Sequence, residues 1–404
     1  MTMISSWLLV ACRPVPLTEA APTITSSLMP TSLSAATAPA QTTASSSSVV
    51  PTIAASPASL PQALTTQPGQ VFPALLYIAE GLLIERHANG TDEVIASLPD
   101  EGAVSDAIRV EDSVFVLRQR GLQRVGLADG VGEVVVRFDE PILFGELLYS
   151  AVGHTILYSL APDSGCTAIG VHAGFYELDT RIARTFFSRE EGYLHLLGTT
   201  RDNLSVYAVP FGCDPEFPEV WRISLATGEI LATLPTWDST NREYGDQYAA
   251  LSPNGRYLAF ASSRSEALGD PVQYTLRHGL GVYNLEPQAW SIQRLDLPNS
   301  PSHASGLLFS PDGGSLYFLL QPEAADEEPG FSHGLWRLDV RAGAFSRVAA
   351  VEDPLAHLLT MTDDGRYVVL QSENSRNVTV VDMSTGAGTT IEIPGRLVTL
   401  VRDR

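Results

Sequence analysis

The chain has 404 residues, of which 44% are hydrophobic and 8% aromatic, which is enough for one large folded domain and a further segment. Its formal net charge is −21, from 46 acidic residues against 25 arginines, and it contains no lysine. The acidic surplus disfavours sequence-independent binding to nucleic acid or anionic lipid. The missing lysine excludes a P-loop lysine, a Schiff base and a Ser–Lys dyad.

The first segment, residues 1–12, has the pattern of an export signal. A short apolar run ends in Leu9, Val10 and Ala11, immediately before Cys12. The run is too short to span a bilayer, and a small residue precedes the cysteine, as a signal peptidase requires. This arrangement resembles a bacterial lipobox, although no arginine or lysine precedes the apolar run. The resemblance implies that Cys12 is lipidated; the alternative is a chance cysteine in a leader.

Residues 13–72 form a second segment, which is rich in Ser, Thr, Ala and Pro. No charged side chain occurs between residues 20 and 79. Such a segment cannot bury enough apolar surface to offset the entropy lost on ordering, so we expect a disordered tether. A lipid anchor followed by a polar tether would hold the remaining domain, 73–404, outside the cytoplasm at the bacterial cell envelope.

Three stretches of the domain are close variants of one another. They begin at Leu251, Phe309 and Met361, at spacings of 58 and 52 residues, and the first reads LSPNGRYLAFA. Each predicts a short strand, a tight turn and a returning strand. Pro presets φ at the second turn position, and Asp or Asn and then Gly suit the next two. A repeat of this length with four strands per unit is typical of a β-propeller.

The turn aligns the first strands of six blades, numbered two to seven, at 104–111, 145–152, 194–201, 246–253, 304–311 and 356–363. Blade one has no first strand before residue 74, because 74–98 matches strands two to four of blade two. The missing strand is found in 395–404, and its pairing with blade one would remove two open sheet edges. We therefore predict an all-β, seven-bladed propeller closed by its C-terminal strand; six blades is the alternative, because blades two and three are less regular.

The Ser-Pro-Asp-Gly turn and its following Tyr-Leu-Ala-Phe strand are similar to the TolB-like and WD40-like propeller repeats of bacterial envelope proteins. The similarity covers blades four to seven well and blades one to three weakly, and the Gly-His and Trp-Asp signatures of true WD40 repeats are absent. It implies the fold and leaves the function open, because propellers support many unrelated activities.

In a four-stranded blade, the connections between strands two and three and between consecutive blades share one face, which we call the loop face. Four adjacent blades have long predicted loops there, at 161–170, 210–218, 264–278 and 321–333. The connection 235–246 adds Trp237 and Tyr244 as candidate binding residues. Long loops on a rigid scaffold commonly carry binding sites; neutral insertion is the alternative.

Two cysteines, Cys166 and Cys213, fall in the long loops of neighbouring blades. Outside the cytoplasm such a pair favours a disulfide, with two unrelated thiols as the alternative.

A ring of seven polar residues marks the start of the innermost strands, where the central channel opens on the loop face. We call these the ring residues: Arg396, Ser105, Glu146, His195, Gln247, Ser305 and His357. They are candidates for ligand binding, although strand ends near solvent are commonly polar in any case. Glu146, His195 and His357 could hold a divalent metal. Propeller lactonases use several acidic or amide ligands, and only Glu146 and Gln247 match, so no metal or other cofactor is predicted.

No catalytic residue is predicted, because the Gly-x-Ser-x-Gly, His-Glu-x-x-His and Gly-x-Gly-x-x-Gly motifs are missing. We expect a monomeric binding or assembly module that holds a protein, peptide or glycan on the loop face of blades three to six. A metal-dependent hydrolase or lactonase-like enzyme with its site at the channel mouth is the first alternative. A structural envelope protein without a small ligand is the second.

Overall fold

The structure of the protein is a computed structural model, and it describes residues 73–401 with short gaps. The gaps are 88, 99–101, 162–168, 192, 212–218, 236–248, 269–272, 286–290, 297–301, 323–333, 352–355 and 373–376. The predicted signal segment and tether, residues 1–72, lie outside the described residues.

The described chain forms seven antiparallel sheets of four strands each, and every sheet is one blade. Blade one contains β1 (Ala74–Ala79), β2 (Leu82–Arg86) and β3 (Asp92–Ser97). Blade two contains β4 (Val104–Val110), β5 (Ser113–Arg118), β6 (Gly121–Gly126) and β7 (Gly132–Arg137). Blade three contains β8 (Phe144–Ser150), β9 (Thr155–Ala161), β10 (Ile169–Glu177) and β11 (Ala183–Glu191). Blade four contains β12 (Tyr193–Thr199), β13 (Ser205–Phe211), β14 (Glu219–Ser224) and β15 (Ile230–Pro235).

The remaining blades repeat this order. Blade five contains β16 (Ala249–Leu251), β17 (Tyr257–Leu268), β18 (Gln273–Asn284) and β19 (Ser291–Asp296). Blade six contains β20 (Ser302–Phe309), β21 (Ser315–Pro322), β22 (Gly334–Asp339) and β23 (Ala344–Ala350). Blade seven contains β24 (Ala356–Met361), β25 (Tyr367–Ser372), β26 (Asn377–Asp382) and β27 (Ala387–Glu392). The last strand is β28 (Arg396–Val401).

The C-terminal strand closes the ring as predicted. β28 pairs antiparallel with β1, from Ala74 opposite Val401 to Ile78 opposite Arg396, and becomes the innermost strand of blade one. Each innermost strand contacts the innermost strands of both neighbouring blades all the way round the ring. The prediction of a seven-bladed all-β propeller is confirmed, and six blades is ruled out.

The repeated turn is stabilised by a hydroxyl at its first position. In blade six, the Ser310 hydroxyl donates to Asp312 at 2.6 Å and accepts from the Ser315 backbone N–H at 2.9 Å. Gly313 completes the turn at a φ of +68°, which an L side chain rarely adopts. Ser252 and Thr362 make the equivalent contacts in blades five and seven, and Thr200 makes them in blade four.

These turns are also connected to one another across blades, on the face opposite the loop face, which we call the turn face. The Ser150 hydroxyl of blade three donates to Asn203 of blade four at 2.8 Å. Arg201 donates to the Asn254 carbonyl at 2.6 Å, and the Asn254 side-chain amide donates to the Asp312 carbonyl at 3.0 Å. Blades three to six are therefore linked in sequence by hydrogen bonds at their turns.

The hydrophobic core is divided into seven clusters, one at each interface between consecutive blades. The second strand of each blade supplies many of these residues and is buried from both sides; every residue of β5 and of β9 is buried. Strands buried on both faces are apolar almost throughout, which explains why their sequences are nearly continuous runs of Val, Leu, Ile and aromatic residues.

One predicted loop has a different structure. Residues 264–278 of blade five were expected to form a long loop, but β17 and β18 pair from Tyr257 opposite Asn284 out to Leu268 opposite Gln273. Most of the segment is therefore an extended hairpin. The loops of blades three, four and six fall largely outside the described residues. A membrane-spanning helix is not found in the part of the chain that the structure describes.

Candidate functional site

The channel mouth is formed by one level of the seven innermost strands. Strand pairing defines this level: Arg396 is opposite Ile78, Glu146 opposite Ser159, His195 opposite Val209, Ser305 opposite Leu319 and His357 opposite Gln371. These partners occupy equivalent positions in the second strands of their blades. The sequence alignment therefore places five of the seven ring residues at one level of the structure.

Blade two departs from the alignment by one residue. β4 contains a β-bulge between Val104 and Asp106, so Asp106 is opposite Leu117 and occupies the level assigned to Ser105 from sequence. A bulge inserts one extra residue and turns the following side chains to the other face of the strand. Asp106 is the ring-level residue that sequence reasoning missed.

Asp106 connects three consecutive blades. Its Oδ1 accepts from Arg396 of blade one at 3.0 Å and from the Ala107 backbone N–H at 2.9 Å. Its Oδ2 accepts from the Leu147 backbone N–H of blade three at 2.8 Å. Burial raises the pKa of the Asp106 carboxyl, although Arg396 and the two backbone N–H groups act in the opposite direction.

Glu146 repeats the same contact one blade further on. Its Oε1 accepts from the Leu196 backbone N–H of blade four, and its Oε2 is 2.6 Å from His195 Nδ1. Burial lowers the pKa of His195, but the hydrogen bond and negative charge of Glu146 outweigh burial and leave the pKa above its ordinary value. Both side chains remain accessible, with 37% of His195 and 18% of Glu146 exposed.

Tyr193 belongs to the same group and was also missed from sequence. It precedes His195 by two residues on β12, so the two side chains lie on the same side of the strand. Burial, followed by the charge and hydrogen bond of Glu146, raises the pKa of the Tyr193 hydroxyl and keeps it neutral. The period-two spacing from His195 was a signal in the sequence that could have identified Tyr193.

Among the described side chains, no other candidate residue belongs to this group. Ser305 is at the ring level but is buried, with 3% of its surface exposed. His357 lies on β24, and its side chain is not among those described. The remaining candidates lie outside the described residues: Gln247, Trp237, Tyr244, Cys166, Cys213 and Cys12.

The described carboxylates at the mouth are poorly suited to hold a metal ion. All four oxygens of Asp106 and Glu146 already accept hydrogen bonds from the protein. A cation at these oxygens would compete with the hydrogen bonds that join neighbouring blades. Among the described side chains, no group of three or more His, Cys, Asp and Glu residues is arranged to bind a metal.

Two large apolar side chains are exposed at the rim of the channel in blade three. Leu143 is 48% exposed and Phe144 is 54% exposed. The Leu143 backbone N–H donates to the Ala161 carbonyl at 3.0 Å, which places both residues beside the start of the loop 162–168. Val131, Val152, Ile182 and Leu204 are exposed on the turn face instead.

Comparison with known proteins gives similarity of fold. No protein-family model matches the chain, and no curated protein sequence matches it. Among solved structures, the periplasmic gluconolactonase PpgL of Pseudomonas aeruginosa is 15% identical with a TM-score of 0.52, over 82% of this chain and 98% of that one. An oligogalacturonate lyase in complex with manganese is 12% identical with a TM-score of 0.50, over 81% and 86%.

TolB from Acinetobacter baumannii is a further structural neighbour. It is 13% identical with a TM-score of 0.45, over 80% of each chain. At these identities the likenesses concern the propeller fold and carry no activity or partner to this chain.

Proposed function

We propose that the chain is a lipid-anchored, extracytoplasmic binding or assembly module that holds a protein, peptide or glycan on the loop face of blades three to six. The observation that carries this proposal is the hydrogen bonding of Asp106 and Glu146. Each of their oxygens accepts from the protein, and each side chain reaches the backbone of the next blade. The described carboxylates thus fix blade positions, which leaves recognition to the loops and rim around them.

The rim of blade three supports the position of the binding surface. Leu143 and Phe144 each expose about half of their surface beside the first of the long loops. Exposed apolar patches with a polar surround commonly mark interaction sites on soluble proteins. Glu146 follows Phe144 by two residues on β8, and His195 lies 2.6 Å from Glu146. These two residues form the polar surround of the exposed apolar pair.

The proposed location rests on the sequence of residues 1–72. A lipidated Cys12 would anchor the chain, and the uncharged tether would separate the propeller from the membrane. We further propose that the blades belong to the TolB-like repeat family, that Cys166 and Cys213 form a disulfide between two loops, and that the protein is a monomer. A closed ring has no unpaired inner edge for a second copy to extend.

Site-specific photo-crosslinking in cells that produce the full chain tests the binding surface. A photo-reactive phenylalanine analogue is placed at Phe144, and at Val152 as the control, because Val152 is 66% exposed on the turn face. We expect a partner to be crosslinked from position 144 and none from position 152. Equal crosslinking from both positions, or crosslinking from position 152 alone, contradicts the proposal. Loss of membrane association in Cys12→Ser tests the anchor separately.

An enzyme is the second candidate, and the short contact between Glu146 and His195 favours it. A carboxylate hydrogen-bonded to an imidazole orients the ring and raises its basicity, as in the His–Asp pairs of general-base catalysis. Hydrolysis of gluconolactone by the full chain, lost in Glu146→Gln and accompanied by a stoichiometric divalent ion in the parent, supports this candidate. Absence of both the ion and the hydrolysis rejects it.

A further inference from the structure

A cleft of about 530 Å³ lies between blades two and three, apart from the channel mouth. Its walls come from the end of β7 and the connection 138–143 on one side, and from β9, β10 and β11 on the other. None of the seven ring residues lines it. Its volume falls within the range of roughly 300–1,000 Å³ that is usual for small-molecule sites.

The buried part of the cleft, its floor, is apolar and carries one hydroxyl. The rings of Phe138 and Tyr158 lie 5.9 Å apart between centroids, with Ile142 and Leu160 beside them. Burial raises the pKa of Tyr158 to about 12, so its hydroxyl is neutral and can donate. Within the described part of the chain, no hydrogen-bond partner is found for this hydroxyl.

Gly174 of β10 makes room for the Tyr158 ring. A Cβ at this position would lie 2.5 Å from the Tyr158 hydroxyl oxygen and 2.7 Å from the Arg184 carbonyl oxygen. Such contacts are shorter than real Cβ atoms make. A side chain at Gly174 would therefore displace the Tyr158 ring from its place in the floor.

The exposed edge of the cleft, its rim, carries charges of both signs. Arg184 of β11 is on the blade three side, and Asp139 and Glu140 are on the connection from blade two. All three are exposed, and none pairs with another described side chain. Arg137 also lines the cleft, so two arginines and two carboxylates are found there.

The connection that bears the two carboxylates is held at both ends. The Phe138 backbone N–H donates to the Arg120 carbonyl at 3.1 Å, and the Ile142 N–H donates to the Gln119 carbonyl at 2.8 Å. The carboxylates of Asp139 and Glu140 therefore stand on a short segment fixed to blade two. A site built in this way loses little conformational entropy on binding.

We propose that this cleft binds a small zwitterion with an apolar side chain, of the class of free amino acids and dipeptides. The ligand carboxylate binds the Arg184 guanidinium, and its ammonium group binds Asp139 and Glu140. Its side chain packs on Phe138 and Tyr158. A saccharide fits the cleft less well, because its hydroxyls would face an apolar floor with one hydrogen-bonding group. The cleft lies on the loop face beside blade three, but its lining includes neither Leu143 nor Phe144. The proposal for the cleft does not depend on the proposed binding module.

Isothermal titration calorimetry on the full chain tests the site, with L-leucyl-L-phenylalanine as the probe. The same dipeptide with an acetylated N-terminus and an amidated C-terminus removes both charges and keeps the side chains. We expect saturable binding of the zwitterion and at least tenfold weaker binding of the capped form. Arg184→Gln and the double variant Asp139→Asn/Glu140→Gln should each weaken binding of the zwitterion at least tenfold.

Matched controls make the same changes at exposed turns of other blades. Arg341→Gln in blade six and Glu229→Gln in blade four should leave the affinity unchanged. Equal affinity for the two dipeptide forms overturns the proposal, as does unchanged affinity in Arg184→Gln. The absence of saturable dipeptide binding also overturns the proposal. Saturable binding of glucuronic acid, a charged saccharide, without binding of the dipeptide overturns it as well. Urea unfolding shows whether each variant is folded. The comparison of the zwitterionic and capped dipeptides on the parent chain tests the proposal even if a variant does not fold.

Discussion

Removal of β28 should open the ring and unfold the propeller. The deletion of residues 395–404 breaks five residue pairs between β28 and β1. At about 1 kcal/mol net for each backbone hydrogen bond, this loss is on the order of 5 kcal/mol. Leu397 is 8% exposed and packs in the cluster between blades seven and one, and its loss adds roughly 2 kcal/mol.

The sum is comparable to the whole stability of a folded domain, which is about 5–15 kcal/mol. We therefore expect the truncated chain to unfold at a much lower urea concentration, measured by tryptophan fluorescence and circular dichroism. Deletion of residues 402–404 alone, after the end of β28, is the control. A truncated chain with the same urea midpoint as the parent would refute ring closure by this strand.

A point variant gives the same test in a chain that keeps the strand. Leu397→Ala should destabilise the propeller by about 2–5 kcal/mol, because the surrounding core cannot close over the cavity. Leu231→Ala is the matched control, since Leu231 is 49% exposed on β15, and it should change stability by no more than about 0.5 kcal/mol. Equal effects of the two substitutions would show that β28 does not contribute to the core.

Three further predictions concern single side chains. The pKa of His195 is above its ordinary value of 6.5 in the folded state, so the stability that His195 contributes is fully present below pH 6.5 and is lost as the pH rises through the folded pKa. Urea unfolding of His195→Gln between pH 5 and 8 should lack this dependence on pH. A profile equal to that of the parent contradicts the contact with Glu146. Ser310→Ala should lower the free energy of unfolding by about 1–2 kcal/mol, because the Ser315 N–H loses its acceptor. An unchanged midpoint in chemical unfolding would show that the hydroxyl does not stabilise the turn. Gly281→Ala should lower the free energy of unfolding by about 1–3 kcal/mol, since its Cβ would lie 2.1 Å from the buried Phe260 ring. A thermal melting temperature equal to that of the parent would disprove this overlap.

The fold was readable from sequence because its main signals are local. The turns at 252–255, 310–313 and 362–365 each need a hydroxyl, an Asp or Asn, and a Gly within four residues. These residue types are needed by the hydrogen bonds and the backbone conformation of the turn itself. Each repetition of the sequence pattern therefore indicates another copy of the turn. Blade one was also readable, because its three consecutive strands match blade two and leave one strand to be found elsewhere.

The site was readable only in part, because its details depend on pairing between strands. The sequence placed Glu146 and His195 correctly at one level. In blade two, however, a bulge in β4 puts Asp106 at that level where the sequence alignment put Ser105. Nothing in the polar and apolar alternation of 104–110 distinguishes these two neighbouring positions. The extended hairpin of blade five was taken for a loop because its sequence has no regular alternation near Gly269.

The cleft between blades two and three could not be found from sequence at all. Its lining comes from β7, the connection 138–143 and three strands of blade three, so no continuous segment contains its pattern. Gly174, which makes room for Tyr158, reads in the sequence as an ordinary break in a strand. Only the packing of two blades shows that the residues meet.

The pairing of β28 with β1 also affects how the protein is synthesised. A ribosome produces β1 first and β28 last among the strands of the propeller, so the partner of β1 is missing throughout translation of the other blades. Until residues 396–401 leave the ribosome, β1 keeps an unpaired edge that a second nascent chain could join. Completion of the domain is therefore coupled to translation of its final strand, and a product that stops early lacks the means to become a closed ring.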